Sequence, residues 1–170
     1  MIRVARISDA HELLIMRKNL FDDCTDEELQ KEINENFRGN CHPYFKDLMT
    51  FVYEQPNGRL GAFIDVSIVE VSEVIDNYNN CYEIYDGKGL LYVPRIEAWY
   101  VNEDLRGKKI GKELIMKAEA WAIEKGCNII LSDTDTYREV SKLAHQALGY
   151  KIVNIFQEKQ LIVFIKHLLL

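Results

Sequence analysis

The chain has 170 residues, of which 48% are hydrophobic and 28% charged, and its formal net charge is −6. This length suits one domain, and the globular composition excludes a disordered or collagen-like chain. The longest apolar run, residues 161–165, is far shorter than the roughly 20 residues of a membrane span. The acidic balance argues against nucleic-acid and anionic-membrane binding and is compatible with a cationic small molecule. We therefore expect a single domain over residues 1–170.

The first residues carry charges at every third position and no small-residue cleavage site, so no signal peptide is expected. None of the four cysteines, Cys24, Cys41, Cys81 and Cys127, forms a C-x-x-C pair. Without an export signal we expect reduced thiols in a cytoplasmic protein. Cys24 and Cys41 with His42 could bind zinc, but their spacing matches no common ligand pattern, so no metal site is predicted.

The first half of the chain predicts a short strand over 2–7, two helices and an antiparallel strand pair. Asp9 with Glu12, and then Thr25 with Glu28, have the spacing of helix capping boxes. The inner faces of the two helices are predicted to carry Leu13, Leu14, Met16, Leu20, Phe21, Leu29, Ile33 and Phe37. Strands are predicted over 50–54 and 60–69, joined by a Pro-Asn-Gly turn. The acidic, tyrosine-rich residues 70–91 are predicted to form a loop, either without regular structure or with a distorted strand or hairpin in it.

The second half predicts strands over 93–101, 128–132, 151–156 and 161–167, with helices over 108–125 and 139–148. The first of these helices has an apolar stripe of Ile110, Leu114, Ile115, Ala118, Trp121 and Ala122. A strand–helix–strand unit implies a parallel strand pair. The fold class is therefore α/β (α+β), with a mixed, mostly antiparallel central sheet, one parallel strand pair and helices on both faces.

The sharpest local signal is the segment 106–112, which follows a strand and opens a helix. A helix N-terminus presents unpaired N–H groups and a partial positive charge, which suits a pyrophosphate. The segment supplies two glycines and four cations: Gly107, Gly111, Arg106, Lys108, Lys109 and Lys112. Neither the Walker pattern nor G-x-G-x-x-G is present. An ordinary helix start with solvated lysines is the alternative.

Residues 96–101, 106–112 and 144–150 together resemble the core of the GCN5-related N-acetyltransferases. Residues 14–21, 96–101, 132–134 and 145–149 are similar to the aminoglycoside 6′-N-acetyltransferases of that superfamily. The superfamily signature R/Q-x-x-G-x-G/A runs here from Arg106 to Gly111, with Lys109 at a position where glycine is usual. The resemblance implies the acyl-CoA N-acyltransferase fold, acetyl-CoA as co-substrate, and a polycationic amine as acceptor, foremost the 6′-amine of an aminoglycoside.

The resemblance also assigns residues to acetyl-CoA. It implies that the strand Trp99, Tyr100 and Val101 pairs with the pantetheine, and that a strand N–H near Val101 polarises the thioester carbonyl. It implies that the pyrophosphate is held by Arg106, Gly107, Lys108, Lys109, Ile110, Gly111 and Lys112.

On the acceptor side, the resemblance makes Glu97 the base that takes the amine proton, and Asp133 a ligand for a substrate ammonium. Strict strand alternation predicts that Glu97 shares a face with Trp99 and Val101. The alternatives are an edge carboxylate at Glu97 and a helix cap at Asp133. Phe21 is predicted to form a wall against a sugar ring, or else a plain core position.

His145 stands where many relatives carry a tyrosine that protonates the leaving thiolate, and an imidazole could donate that proton. A structural histidine is the alternative. Two acidic segments, 22–28 and 70–86, could attract a polycation or could be solvated surface. Two other functions stay open: acetylation of a polyamine or protein amine, and a non-catalytic acyl-CoA-binding module. A homodimer is also predicted as an option, with strand 161–165 available for pairing.

Overall fold

The computed structural model of the chain describes residues 1–21, 23–38, 45–70 and 92–168. Its elements are β1 (Ile2–Val4), α1 (Ala10–Leu20), α2 (Asp26–Phe37), β2 (Phe45–Glu54), β3 (Leu60–Glu70), β4 (Tyr92–Val101), α3 (Ile110–Glu124), β5 (Ile129–Asp135), α4 (Glu139–Ala147), β6 (Lys151–Phe156) and β7 (Leu161–His167). Short 3-10 turns, Ile7–Asp9 and Glu103–Leu105, precede α1 and α3. This order confirms the predicted order of strands and helices. The predicted loop after Glu70, and Cys41, His42 and Cys81, lie outside the described residues.

The strands form one sheet in the order β1-β2-β3-β4-β5-β7-β6. Every neighbouring pair is antiparallel except β4 and β5, which are parallel, as predicted. Helices α1 and α2 cover one face of the sheet. Helices α3 and α4 lie on the other face, because residues of both pack into the core cluster there. The predicted mixed sheet with helices on both faces is therefore confirmed.

The core lies on both faces of the sheet, because alternate residues of β3 point to opposite sides. Ile64 and Val66 pack under α3. Phe63 packs under α1 and α2. The whole predicted stripe of α3 is buried: Ile110, Leu114, Ile115, Ala118, Trp121 and Ala122. Burying one such Leu or Ile side chain contributes about 1.5–3 kcal/mol, so this stripe holds α3 firmly against the sheet.

One of the two predicted capping boxes is confirmed. The Thr25 hydroxyl accepts a hydrogen bond from the Glu28 amide, and the Glu28 carboxylate accepts one from the Thr25 amide. The predicted Asp9–Glu12 box is wrong, because Asp9 is bound by the Arg3 guanidinium at 2.7 Å, and Glu12 instead accepts from the Leu60 amide. The ion pair with Arg3 outcompetes the cap for the Asp9 carboxylate.

Three strand ends differ from those predicted by three residues or more. β1 ends at Val4, β2 begins as early as Phe45, and β5 continues to Asp135, so that Asp133 lies inside a strand. The pairing role predicted for residues 161–165 is wrong, because β7 lies between β5 and β6 and both its edges are occupied. Among the described strands, β1 and β6 form the sheet edges. No helix within the described ranges has the length and apolarity to cross a bilayer.

Candidate active site

A fork between β4 and β5 opens in the middle of the sheet. The two strands pair only at Arg95 with Leu131 and at Ile96 with Ser132. Beyond that point β4 stays on β3 as far as Val101, while β5 stays on β7 as far as Asp135. The strands therefore diverge, and the inner edge of β4 from residue 97 to 101 has no partner in β5. An unpaired strand edge offers N–H and C=O groups to an extended ligand.

The backbone directions on this edge follow from one hydrogen bond. The Asn102 amide donates to the Gly61 carbonyl on β3 at 2.9 Å. Because the N–H and C=O groups of successive residues point to opposite edges of a strand, those of Val101 and Trp99 point away from β3 and into the fork. The Val101 carbonyl accepts from Nε of Arg106 there, at 3.2 Å.

A β-bulge at Glu97 reverses the side-chain alternation of β4. Ala98 pairs with Asp65 and Ile96 with Val66, so Glu97 has no residue opposite it. The predicted common face for Glu97, Trp99 and Val101 is therefore wrong. Trp99 and Val101 lie on the α3 side, whereas Glu97 and Ala98 line a cavity on the α1–α2 side. The extra residue carries Glu97 to the opposite face.

The segment 106–112 forms a left-handed turn that leads into α3. Gly107 has φ of 78° and Lys109 has φ of 66°. Positive φ explains why glycine is usual at the position of Lys109. The first-turn amides of Ile110, Gly111 and Lys112 have no intrahelical acceptor, because a helix leaves its first N–H groups unpaired. Lys108, Lys109 and Lys112 are exposed beside them, so the segment has the composition of an anion site.

Gly111 packs against the side chain of Trp99. A Cβ at this position would lie 2.9 Å from Cζ2 of the indole. The glycine therefore lets α3 lie against the indole at the fork. Gly107 meets no neighbour within 4 Å of such a Cβ, so its requirement is the positive φ.

Glu97 is held on the α1–α2 side of the fork by polar groups. Its Oε1 accepts a hydrogen bond from the Ser67 hydroxyl, and its Oε2 lies 3.6 Å from Nη1 of Arg95. Burial raises the pKa of Glu97, and Arg95 and Ser67 oppose this effect. A raised pKa suits a carboxylate that must accept a proton near neutral pH.

Asp133 lies on the same face as Glu97, and both contact Arg95. Nη2 of Arg95 is 2.7 Å from Oδ2 of Asp133, and Nε of the same guanidinium is 3.2 Å from that oxygen. Asp133 does not cap a helix in this arrangement. The structure thus brings together the two predicted acceptor-binding carboxylates, around a cation that the sequence analysis missed.

A cavity of about 110 Å³ lies between Glu97 and the two N-terminal helices. Phe21, half-buried just beyond α1, lines it together with Glu97. Arg17, only 2% exposed, pairs there with Asp65 on β3 and with Glu32 on α2 at 2.9 Å. Its position could have been found, because it falls on the apolar stripe of α1 next to Met16.

His145 lies on the other face of the sheet from Glu97. It is 2% exposed, stacks on Phe164 at 4.6 Å and meets Trp99 edge-on. Nδ1 is 2.8 Å from the Ser141 carbonyl, which can only accept, so this nitrogen donates. In the neutral ring Nε2 then accepts from the Ser132 hydroxyl at 2.8 Å. Burial lowers the pKa of His145, which favours this neutral form.

The predicted cofactor residues surround the fork. Tyr100 points to the α1 side, where its hydroxyl accepts from Asn19 at 3.3 Å. Arg106 is exposed and is paired with Glu103 at 3.4 Å besides its contact to Val101. Arg138, which the sequence analysis did not assign, spans the open end of the fork: it pairs with Asp135 on β5 at 2.7 Å and donates to the Leu20 carbonyl at 3.0 Å.

Comparison with known proteins gives consistent findings. Residues 18–150 match the model of the acetyltransferase (GNAT) family. The chain is similar to aminoglycoside N(6')-acetyltransferase type 1 of Klebsiella aerogenes, with 30% identity over 150 residues that cover 88% of each protein.

Two solved structures share the fold. AAC(6')-Iy in complex with the bisubstrate analog CoA-S-monomethyl-acetylneamine has a TM-score of 0.69 and 23% identity over 91% of this chain and 92% of that one. The aminoglycoside 6'-N-acetyltransferase AAC(6')-Ih from Acinetobacter baumannii has a TM-score of 0.68 and 21% identity over the same shares, 91% and 92%.

Proposed function

Because this chain belongs to the acetyltransferase (GNAT) family, we propose that it transfers the acetyl group of acetyl-CoA to the 6′-amino group of an aminoglycoside. One observation carries the proposal: Glu97 and Asp133 share one face at the mouth of a strand fork, beside an unpaired strand edge. Aminoglycosides carry several ammonium groups, and carboxylates bind such groups. The similarity to the Klebsiella aerogenes enzyme over 88% of the chain supports this acceptor.

The fork and the segment 106–112 have the groups that acetyl-CoA needs. Gly107 and Lys109 adopt the positive φ that turns backbone amides toward an anion, and the exposed lysines add charge. The inner edge of Trp99 to Val101 would pair with the pantetheine, and the Val101 N–H would stabilise negative charge on the thioester oxygen. Acetyl-CoA, when bound, supplies the activated acetyl group.

Glu97 would remove a proton from the acceptor ammonium, directly or through one water, and so expose the nitrogen lone pair. The nitrogen would attack the acetyl carbon, and the carbon–sulfur bond would then break, so that the thiolate leaves with the electron pair. The new amide nitrogen would release its second proton to solvent. Asp133 would hold an ammonium group of the acceptor. Phe21, which forms part of the cavity wall, would contact the sugar ring. Acetylation removes one positive charge from the acceptor.

His145 remains the predicted donor of the proton that neutralises the thiolate. It lies beside Trp99 on the α3 side, where the thiolate would form. Its Nε2 accepts from Ser132 in the neutral ring, so donation requires that Nε2 first gain a proton. The change in kcat when His145 is replaced therefore decides whether it donates this proton.

The experiment is to follow CoA release with an aminoglycoside that bears a 6′-amine and with its 6′-hydroxyl congener. Mass spectrometry of the product should show one added acetyl group on the 6′-nitrogen and none on the hydroxyl congener. Inactivity with both drugs would overturn the aminoglycoside assignment. Activity on spermidine alone would select another amine acceptor, and tight CoA binding without thioester loss across an amine panel would indicate a binding module.

We also infer a cytoplasmic location and keep a homodimer as an option. The thiols of Cys24 and Cys127 are free, which suits a reducing compartment. A dimer, if formed by strand pairing, would use β1 or β6 rather than β7. Light scattering of the purified protein tests the dimer, and fractionation of cells that express it tests the location.

A further inference from the structure

The guanidinium of Arg95 lies between the carboxylates of Glu97 and Asp133. In the proposed function, this is the place where an acceptor ammonium would bind. The guanidinium contacts Asp133 at 2.7 Å and Glu97 at 3.6 Å. The side chains of Arg95, Glu97 and Asp133 are only 25%, 18% and 21% exposed. Charged groups that are partly withdrawn from water are screened less than exposed ones, so a cation among them changes their affinity for another cation.

The strand topology fixes this arrangement. Arg95 belongs to one of the two residue pairs that join β4 to β5, so its backbone is anchored where the fork begins. Glu97 is the bulge residue two positions further on, and Asp133 is two positions beyond the Leu131 that pairs with Arg95. The guanidinium therefore bridges both arms of the fork on the acceptor side.

The charged side chains around Glu97 come from three strands and two helices. They are Arg95 on β4, Asp65 on β3, Asp133 on β5, Arg17 on α1 and Glu32 on α2. With Glu97 itself ionised, four carboxylates and two guanidinium groups give a net charge of −2. Without Arg95 the same cluster would carry −3.

We infer that Arg95 is an internal counter-ion of the Glu97–Asp133 pair and thereby a specificity-determining residue that limits affinity for polycationic acceptors. This inference rests on the proposed function. An incoming ammonium must compete with the Arg95 guanidinium for the same carboxylate oxygens. Each additional ammonium group on the acceptor is also repelled by that guanidinium. Acceptors with few charges are penalised least, so Arg95 tunes which amines the enzyme prefers.

The same contact acts on the proposed base. Arg95 stabilises the ionised form of Glu97, against the burial that raises its pKa. Its removal should therefore move the acid limb of the kcat/KM profile to higher pH, since a larger fraction of Glu97 would be protonated at a given pH. A side chain that only packed between strands would not produce this shift.

The test compares R95Q, R95M and R95K with the wild type, using a 6′-amino aminoglycoside and a small diamine as acceptors. We expect R95Q and R95M to lower KM for the aminoglycoside by roughly tenfold, with a smaller change for the diamine. Their acid limbs should move to higher pH. R95K keeps the charge and should stay near the wild type. R59Q, at a side chain that is 72% exposed and paired with Glu12, makes the same change of net charge outside the site and should alter neither quantity.

The outcomes separate the two proposals. If the wild type acetylates the aminoglycoside but folded R95Q and R95M keep its KM and pH profile, Arg95 is not the counter-ion and the proposed function stands. A raised KM in both variants would mean that Arg95 assists acceptor binding, which also overturns the inference. If the wild type acetylates no aminoglycoside, the proposed function fails and the inference fails with it. Melting temperatures report whether each variant folds. If a neutral side chain at position 95 unfolds the fork, R95K, which keeps the positive charge, remains available for comparison with the wild type.

Discussion

Gly111 and Trp99 are in direct contact where α3 meets the fork: a Cβ built on the glycine would stand 2.9 Å from Cζ2 of the indole. His145 also contacts the indole, edge-on, with the ring centroids 5.4 Å apart. Residues 106–112, the end of β4 and helix α4 are thus joined through one aromatic side chain.

The G111A variant tests this contact. We expect it to lose about 1–3 kcal/mol of unfolding free energy through overpacking, partly offset by the higher helix propensity of alanine. Its KM for acetyl-CoA should rise, because the first turn of α3 is displaced. Adding W99F removes the atom in conflict and should recover part of the stability. Urea unfolding and acetyl-CoA kinetics measure both effects, and a fully stable G111A would contradict the close packing.

Lys109 adopts a left-handed backbone, with φ of 66°, at the position where the signature that this segment resembles has glycine. A non-glycine residue in this region costs roughly 1–2 kcal/mol, while glycine costs up to about 1 kcal/mol more in unfolded-chain entropy. K109G and K109A lose the same charge, so their difference isolates the backbone. We expect K109G to be more stable than K109A by about 1 kcal/mol in thermal or urea unfolding. Equal stabilities would contradict the left-handed conformation.

The raised pKa of Glu97 predicts the pH dependence of catalysis. A base must be ionised to act, so kcat/KM should rise with pH through the raised pKa and the acid limb should lie above the usual glutamate range. E97Q should lower kcat/KM by roughly 10²–10⁴-fold and remove that limb. S67A deletes a hydrogen bond to the ionised form and should move the limb further up. E158Q, at an exposed turn carboxylate, is the matched control.

The same shift affects stability with the opposite sign. Between the unfolded and folded pKa values of Glu97, the folded protein binds more protons than the unfolded chain. The contribution of this residue to unfolding free energy therefore falls as pH rises through that window. E97Q should lose this pH dependence, which urea titrations at a series of pH values measure; an unchanged slope would contradict the burial of Glu97.

From the buried position of His145 we expect its replacement to affect the unfolding free energy and kcat to different extents. H145Q and H145F each disturb a buried ring that bridges Ser132 and Ser141, so we expect a loss of about 1–3 kcal/mol in unfolding free energy. If the ring is structural, kcat should fall by less than about tenfold. A kcat loss of more than about 100-fold with unchanged melting would instead support the predicted acid role.

Much of the fold could be predicted from periodicity and local signals. The α3 stripe is buried at every predicted position, because six apolar residues at helical spacing have one face to cover. The single parallel strand pair followed from the strand–helix–strand order. The predicted Asp9–Glu12 cap does not form, because Arg3, which lies outside that motif in sequence but next to Asp9 in space, binds the Asp9 carboxylate more strongly.

The site was harder to predict than the fold. The bulge at Glu97 has no local signal, since neither glycine nor proline occupies that position, and strict alternation therefore placed Glu97 on the wrong face. Arg95 and Arg17 were missed because their partners Asp133 and Asp65 lie on other elements, far along the chain. Their role emerges only when these elements are brought together in the fold.

The position of the fork within the sheet has a kinetic consequence. Trp99 and the N-terminus of α3 lie on one face of the sheet, and Glu97 and Asp133 lie on the other. Acetyl-CoA and the acceptor would therefore approach from opposite faces of the sheet and meet at the fork. Neither route obstructs the other. Initial-rate plots should intersect, as for a ternary complex, rather than run parallel as for a covalent acetyl-enzyme, and CoA should not compete with the amine for its entrance.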